Sequence, residues 1–299
     1  MNVLVIGNGF DLDLGLHTTY RDFAESSYWD ELYKSENRWR KNGLADFIKC
    51  QSREKEWFDI EECLAKYVKE KEKKSLFSLV DQDKHFHQLL ERQLSKYLDQ
   101  ELLNAKLNEQ SLANRIIRLN EDNSCFDSLY SFNLTEYDFL GAVDGSEMGY
   151  LYDVVNLHVS SKQMILGIGE DDCKSRDYSF LKKVCHAKIP QTNIILDLQK
   201  ADIVVVFGHS LNRIDFKYFE SYFYRIQERA KLGENSFVYI ITKDENSIKS
   251  IKDNLCEHQV SLIELSSALT FISTDNYYCG MREEKEKVEL LLKALIKEK

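Results

Sequence analysis

The apolar run Val3-Leu4-Val5-Ile6 stops at Gly7, and Gly9 and Gly15 follow it in a G-x-G-x5-G spacing. Glycine tolerates positive φ and carries no Cβ, so a backbone built this way can turn sharply from a strand into a helix and come close to a phosphate. The first turn of that helix would add unpaired N–H groups and a partial positive charge, both favourable to an anion. The chemistry indicated is nucleotide binding, with a tight βα turn that holds no ligand as the alternative. Asn133 closes the run "LYSFN" and His158 closes "VVNLH". Polar residues at the carboxyl ends of parallel strands stand where open α/β sheets bind ligands. An amide there can position a hydroxyl or a water, and a histidine can serve as general base near neutral pH. The local alternatives are an Asx-turn for Asn133 and a histidine satisfied by the core or a turn for His158.

A third strand end, "DIVVVFGHSLNRID", offers Gly208 and Ser210 to ribose or phosphate through N–H and hydroxyl. Asp215 is expected to cap the helix that opens over Asn212 to Asp215. A carboxylate beside a pyrophosphate would repel it, so Asp11 is expected to bond a ribose hydroxyl or to brace the loop. Asp59 and Glu61, two residues apart, do not share a helical face, and no metal site is expected there.

The elements that must position these residues follow from periodicity. Residues 2–7 read as a buried strand, and residues 20 to about 120 as almost wholly helical, with apolar residues three and four apart. Further strands are predicted at 126–133, 153–159, 163–169, 202–210, 236–242 and 260–265. Helices are predicted after residue 214, at 245–256 and at 281–299. Buried strands alternating with helices imply an α/β fold, a Rossmann-like and mostly parallel sheet, with a large helical insertion after its first strand. The expected domains are residues 1–24 with 123–280, the insertion at 25–122, and a C-terminal helix at 281–299.

The formal charge of −10 argues against direct nucleic-acid binding, which needs Lys and Arg on phosphates. Seven scattered cysteines form no C-x-x-C pair, which fits thiols in a reducing cytoplasm rather than a zinc ribbon or a disulfide framework. No leader pattern and no membrane-length apolar run is visible, so a cytoplasmic protein is expected. The aromatic residues of the insertion, Trp29, Trp39 and Trp57, mark the expected surface for a protein partner or self-association.

The stretch "IGNGFDLDLGLHTTYRDF" (6–23) closely resembles the opening of the bacterial abortive-infection family AbiH, I-G-N-G-F-D-L-x-x-G-L-x-T-x-Y-x-D-F. "WFDIE" (57–61), "SFNLTEYD" (131–138), "NLHV" (156–159), "LGIGE" (166–170) and "FGHSLNRIDFKYF" (207–219) are similar to that family in the same order. The glycine spacing also resembles sirtuin-type NAD-binding domains, G-A-G-x-S-x-x-S-G-I-P-x-F. These resemblances imply antiphage defence through NAD, bound or hydrolysed to nicotinamide and ADP-ribose. They imply Asn133 and His158 as catalytic residues. They further imply Gly7, Asn8, Gly9, Phe10, Asp11, Thr18, Tyr20, Gly208, Ser210 and Asp215 as residues that bind the nucleotide. The related families usually follow the histidine with glycine and the asparagine with tyrosine, whereas this chain has Val159 and Leu134. Those departures favour the alternative, a non-catalytic nucleotide sensor that controls a partner toxin or an oligomer. A sirtuin-type deacetylase is not expected, because its four-cysteine zinc module has no counterpart.

Overall fold

A computed structural model of the chain describes residues 1–34, 43–54, 58–74, 79–135, 154–157, 159–160, 163–164, 166–185, 193–233 and 236–297. The strands in chain order are β1 (Asn2–Ile6), β2 (Ser128–Ser131), β3 (Val154–Asn156), β4 (Val159–Ser160), β5 (Gln163–Met164), β6 (Ile203–Phe207), β7 (Phe237–Thr242) and β8 (Leu269–Ser273). The helices are α1 (Asn8–Asp13), α2 (Tyr20–Ala24), α3 (Ser27–Tyr33), α4 (Leu44–Glu54), α5 (Ile60–Lys74), α6 (Val80–Asn104), α7 (Leu112–Asn123), α8 (Ile194–Lys200), α9 (Glu220–Lys231), α10 (Glu245–Glu257), α11 (Thr274–Tyr278) and α12 (Arg282–Lys297).

Two units divide the chain. The first holds Met1–Leu16, Ala105–Leu157 and Gln191–Lys299, and the second holds His17–Asn104 and His158–Pro190. Both α7 and the terminal α12 belong to the first unit, where each packs against the other and α12 also meets β8. Residues 158–190 belong to the second. These boundaries differ from those the periodicity implied, since helical content alone does not say against what a helix packs.

In the first unit six strands form one parallel sheet in the order β3-β2-β1-β6-β7-β8. This is an open α/β sheet consistent with a Rossmann-like fold, and the order reverses between β1 and β6. The two central strands are buried along their whole length, as their unbroken β-branched and apolar runs require when helices cover both faces. Phe216, Phe219, Tyr222, Phe223 and Ile226 cover one face, with Ile251 and Leu255 of α10 beside them.

One predicted strand is absent and another is cut short. Residues 260–265 form turns, anchored by buried Val260 and Leu265, while Ile263 is 88% exposed. The strand lies later, at β8. Among the described residues of 163–169 only β5 is a strand, and it pairs antiparallel with β4 in a separate two-stranded sheet. Beyond it Ile168 makes one isolated bridge to Lys182.

The second unit is built on aromatic packing. Phe23 meets Trp29 and Tyr97, and Trp29 meets Tyr33 and Phe58. Trp29 is therefore core, not the partner surface expected of it; Trp39 and Trp57 lie outside the described residues. Asp83, fully buried, accepts hydrogen bonds from Tyr67 Oη (2.6 Å), Tyr178 Oη (2.8 Å) and Leu44 N (2.8 Å). Asp59 caps α5 by accepting from Glu62 N, and Glu61 accepts from Gly167 N while pairing with Lys183 at 2.9 Å. The motifs "WFDIE" and "LGIGE" thus meet in the Gly167–Glu61 hydrogen bond, and the buried Glu61–Lys183 pair beside it also ties 166–185 to the helices. No helix among the described residues is long and apolar enough to cross a membrane.

Candidate nucleotide site at the strand ends

The carboxyl ends of β1 and β6 interlock before any ligand is considered. Gly7 N donates to Phe207 O (2.9 Å), Gly9 N to Gly208 O (3.0 Å) and Phe10 N back to Gly7 O (2.8 Å). Gly208 has φ +70°, and a Cβ built on it would lie 2.2 Å from Phe10 N, while one on Gly9 would lie 2.7 Å from Gly208 Cα. The glycines let two backbones touch, which a side chain at either position would prevent. Three N–H groups at the place expected to cradle a phosphate are therefore already bonded, two to the end of β6 and one within the turn. Phe10 turns its ring into the core, edge-on to Phe207 at 5.1 Å, and is itself fully buried.

The six-residue α1 then ends on Gly15, at φ +89°. Gly15 N donates to Leu12 O and Leu16 N to Asp11 O, each at 3.0 Å, the paired bonds of a Schellman cap. The same helix is held from the side by Asp13, which accepts from Ala113 N (2.8 Å) and Tyr278 Oη (2.8 Å). Burial pushes the Asp13 carboxyl above its ordinary range, and those two donors pull it back. The late glycine of the G-x-G-x5-G pattern is thus the stop signal of a short helix.

Asp11 is fully buried on α1. Its carboxylate accepts Asn133 Nδ2 at 2.7 Å and Thr135 Oγ1 at 2.8 Å, and Asn133 N donates to Ser131 Oγ at 3.1 Å. Of the two roles expected for Asp11, bracing is the one observed. It fixes the residues just past β2 to the residues just past β1. The bond also sets the amide of Asn133, since a carboxylate accepts only from its NH2 end. Thr135 was not singled out from the sequence, and its partner lies far away in the chain.

Beyond β6, Asp215 departs from expectation. It precedes a single 3-10 turn at Phe216–Tyr218, and its side chain caps nothing. Asn212 takes that role, its Oδ1 accepting from Ile214 N (3.0 Å) and Asp215 N (3.1 Å). The Asp215 carboxylate instead faces His209 Nε2 at 3.6 Å, with both side chains buried. Leu211 N donates to His209 Nδ1 at 3.0 Å, which leaves the ring proton on Nε2, toward Asp215. Leu211 sits at φ +50°, a strained conformation for a branched residue, and this bond helps to hold it. Phe132 and Phe219 wall the imidazole at 4.4 and 5.4 Å between centroids. His209 has no role assigned from the sequence, because its partner is six residues away across that unusual turn.

Gly7, Asn8, Gly9, Phe10, Asp11, Asn133, Gly208, Ser210 and Asp215 all fall within the sheet unit, at or just beyond three adjacent strand ends. Ser210 is exposed and Asn8 half-buried. Thr18 and Tyr20 fall in the helical unit, where Thr19 caps α2 in a reciprocal box with Asp22. His158, the expected base, lies outside the described residues.

No curated protein and no solved structure matches the chain. The model of one family, bacteriophage abortive infection AbiH, matches residues 3–232, which takes in β2, β6, all of β1 but Asn2, and the Asp11–Asn133–Thr135 and His209–Asp215 groups. The chain belongs to the bacteriophage abortive infection AbiH family.

Proposed function

We propose that this chain acts in phage abortive infection by binding NAD at the carboxyl ends of β1, β2 and β6 and hydrolysing its nicotinamide–ribose bond. The observation that carries the reading is the buried Asp11–Asn133 bond, which holds an oriented amide beside the point where the strand order reverses. In the reaction the bond between ribose C1′ and the pyridinium nitrogen breaks. Its electron pair leaves on nicotinamide, which is neutral once released, so no general acid is needed. Water supplies the oxygen that bonds C1′, and its proton passes to a base. Asn133, turned by Asp11, accepts from a ribose hydroxyl or from that water with Oδ1, and His158 takes the proton. Because the amides of Gly7, Gly9 and Phe10 already donate to backbone carbonyls, the pyrophosphate falls to the Asn8 and Ser210 side chains. Asp11, Phe10 and the glycines support the site, Asp215 acts through His209, and Thr18 and Tyr20 enter this reading through the family motif.

Val159 and Leu134, where related families carry glycine and tyrosine, favour a second reading, a sensor that binds a nucleotide without turning it over. Incubation of the purified protein with NAD, with nicotinamide quantified by chromatography, separates the two. Release that falls about 100-fold or more in both Asn133→Ala and His158→Ala is the result expected for the enzyme. Retention of NAD without nicotinamide would leave the sensor. Neither release nor retention would sink both readings.

A further inference from the structure

The helical unit contains a cavity of about 580 Å³ whose wall is cationic. Arg21 of α2, Lys34 at the end of α3, and Lys49 and Arg53 of α4 line it, against one acidic residue, Asp30. Four cations and one carboxylate around a single concavity stand out in a chain of net charge −10. Two of the cations are set by their surroundings. Arg21 Nη1 donates to Ser52 O at 2.7 Å with its guanidinium 5.8 Å from the Phe58 ring centroid, and Lys49 Nζ lies 4.8 Å from that of Tyr33. The other two stand at the rim. Lys34 makes only a weak exposed pair with Glu31 at 3.7 Å, and Arg53 makes no ion pair among the described residues. Every lining residue named belongs to the helical unit, and none comes from the sheet.

We propose that this cavity binds a small anion carrying two adjacent phosphates, a pyrophosphate group either free or borne by a nucleotide. Its volume suits a small molecule. Arginine offers planar paired donors to phosphate and lysine a mobile point charge, so two of each around one cavity match four or more phosphate oxygens. Trp29 and Tyr33 form the apolar part of the wall. The proposal does not rest on NAD binding at the strand ends.

Isothermal titration of the full chain with inorganic pyrophosphate, and separately with ADP, tests it. The parent, Lys34→Glu/Arg53→Glu and Asn133→Ala are compared, with far-UV circular dichroism to check folding. The neutral pair Lys34→Ala/Arg53→Ala replaces the reversed one if α4 is disturbed. Binding of pyrophosphate by the parent and by Asn133→Ala, weakened at least tenfold in the charge variant, is the expected result. If only ADP behaves this way, the same site holds and its natural source of pyrophosphate is a nucleotide. The proposal is overturned if neither probe binds, if the charge variant binds as the parent does, or if Asn133→Ala abolishes binding while the charge variant keeps it.

Discussion

At the scale of single residues, a carboxylate expected to bond a ribose hydroxyl or to brace the loop turns out to hold an amide in place. Asp11 accepts two hydrogen bonds in full burial, so removing it leaves the Nδ2 of Asn133 and the hydroxyl of Thr135 without their acceptor. Asp11→Ala is expected to cost about 1–3 kcal/mol in urea denaturation. Asp11→Asn is expected to cost less, because its oxygen still accepts from Asn133 and the Thr135 hydroxyl can rotate to accept from the new amide. A larger loss in the asparagine variant would count against this account of the network. The positions of Gly7, Gly9 and Asn133 were legible in the sequence, because glycine spacing and the polar end of an apolar run are local signals. The pairs Asp11–Thr135 and His209–Asp215 were not. The first joins residues brought together only by the sheet, and the second depends on Leu211 adopting a left-handed backbone that its type disfavours.

At the scale of elements, the contact that matters most is backbone against backbone, where the turn after β1 meets the turn after β6. Gly15 and Gly208 both have positive φ, yet their surroundings differ. A Cβ on Gly15 would come within 3.3 Å of Lys106 O, which a small shift relieves, whereas one on Gly208 would meet Phe10 N at 2.2 Å, Gly9 C at 2.4 Å and Gly9 Cα at 2.5 Å, all of them backbone. Gly15→Ala is therefore expected to cost about 1–2 kcal/mol, the ordinary penalty of a left-handed residue. Gly208→Ala is expected to exceed about 4 kcal/mol or to yield no soluble protein, and equal denaturation midpoints for the two would refute the interlock. Strands β1, β6 and β7 were readable because central parallel strands are continuous apolar runs. The edge strand β8 was not, since Leu269, Thr270 and Phe271 are only half-buried, while the turns at 260–265 imitate a strand by burying Val260 and Leu265 at their two ends.

At the scale of the whole molecule, the helical unit carries an acid response of uncommon sign. Burial pushes the Glu91 carboxyl up to about 7, against the pull of the Leu166 N–H, and it faces His87 Nδ1 at 3.8 Å. Burial with the neighbouring Glu61 carboxylate raises Asp59 to about 6. Both groups hold their protons more tightly folded than unfolded. Their contribution is complete below the ordinary values of 4.5 and 3.8 and is lost as pH rises through about 7 and about 6. Glu91→Gln keeps the shape without the charge and is expected to stabilise the protein by about 1–3 kcal/mol at pH 8 and hardly at all at pH 4, read by urea denaturation. A gain that is the same at both would remove burial of the charge as its cause. The sheet has a consequence for how the protein is made. β1 lies between β2 and β6, so during synthesis β1 keeps an open edge until residue 207 has followed it. An exposed Val-Leu-Val-Ile edge invites wrong pairing and calls for chaperone cover in the meantime. Any activity housed where β1, β2 and β6 end therefore waits until the chain has grown past residue 207, and a copy ended before that point lacks it.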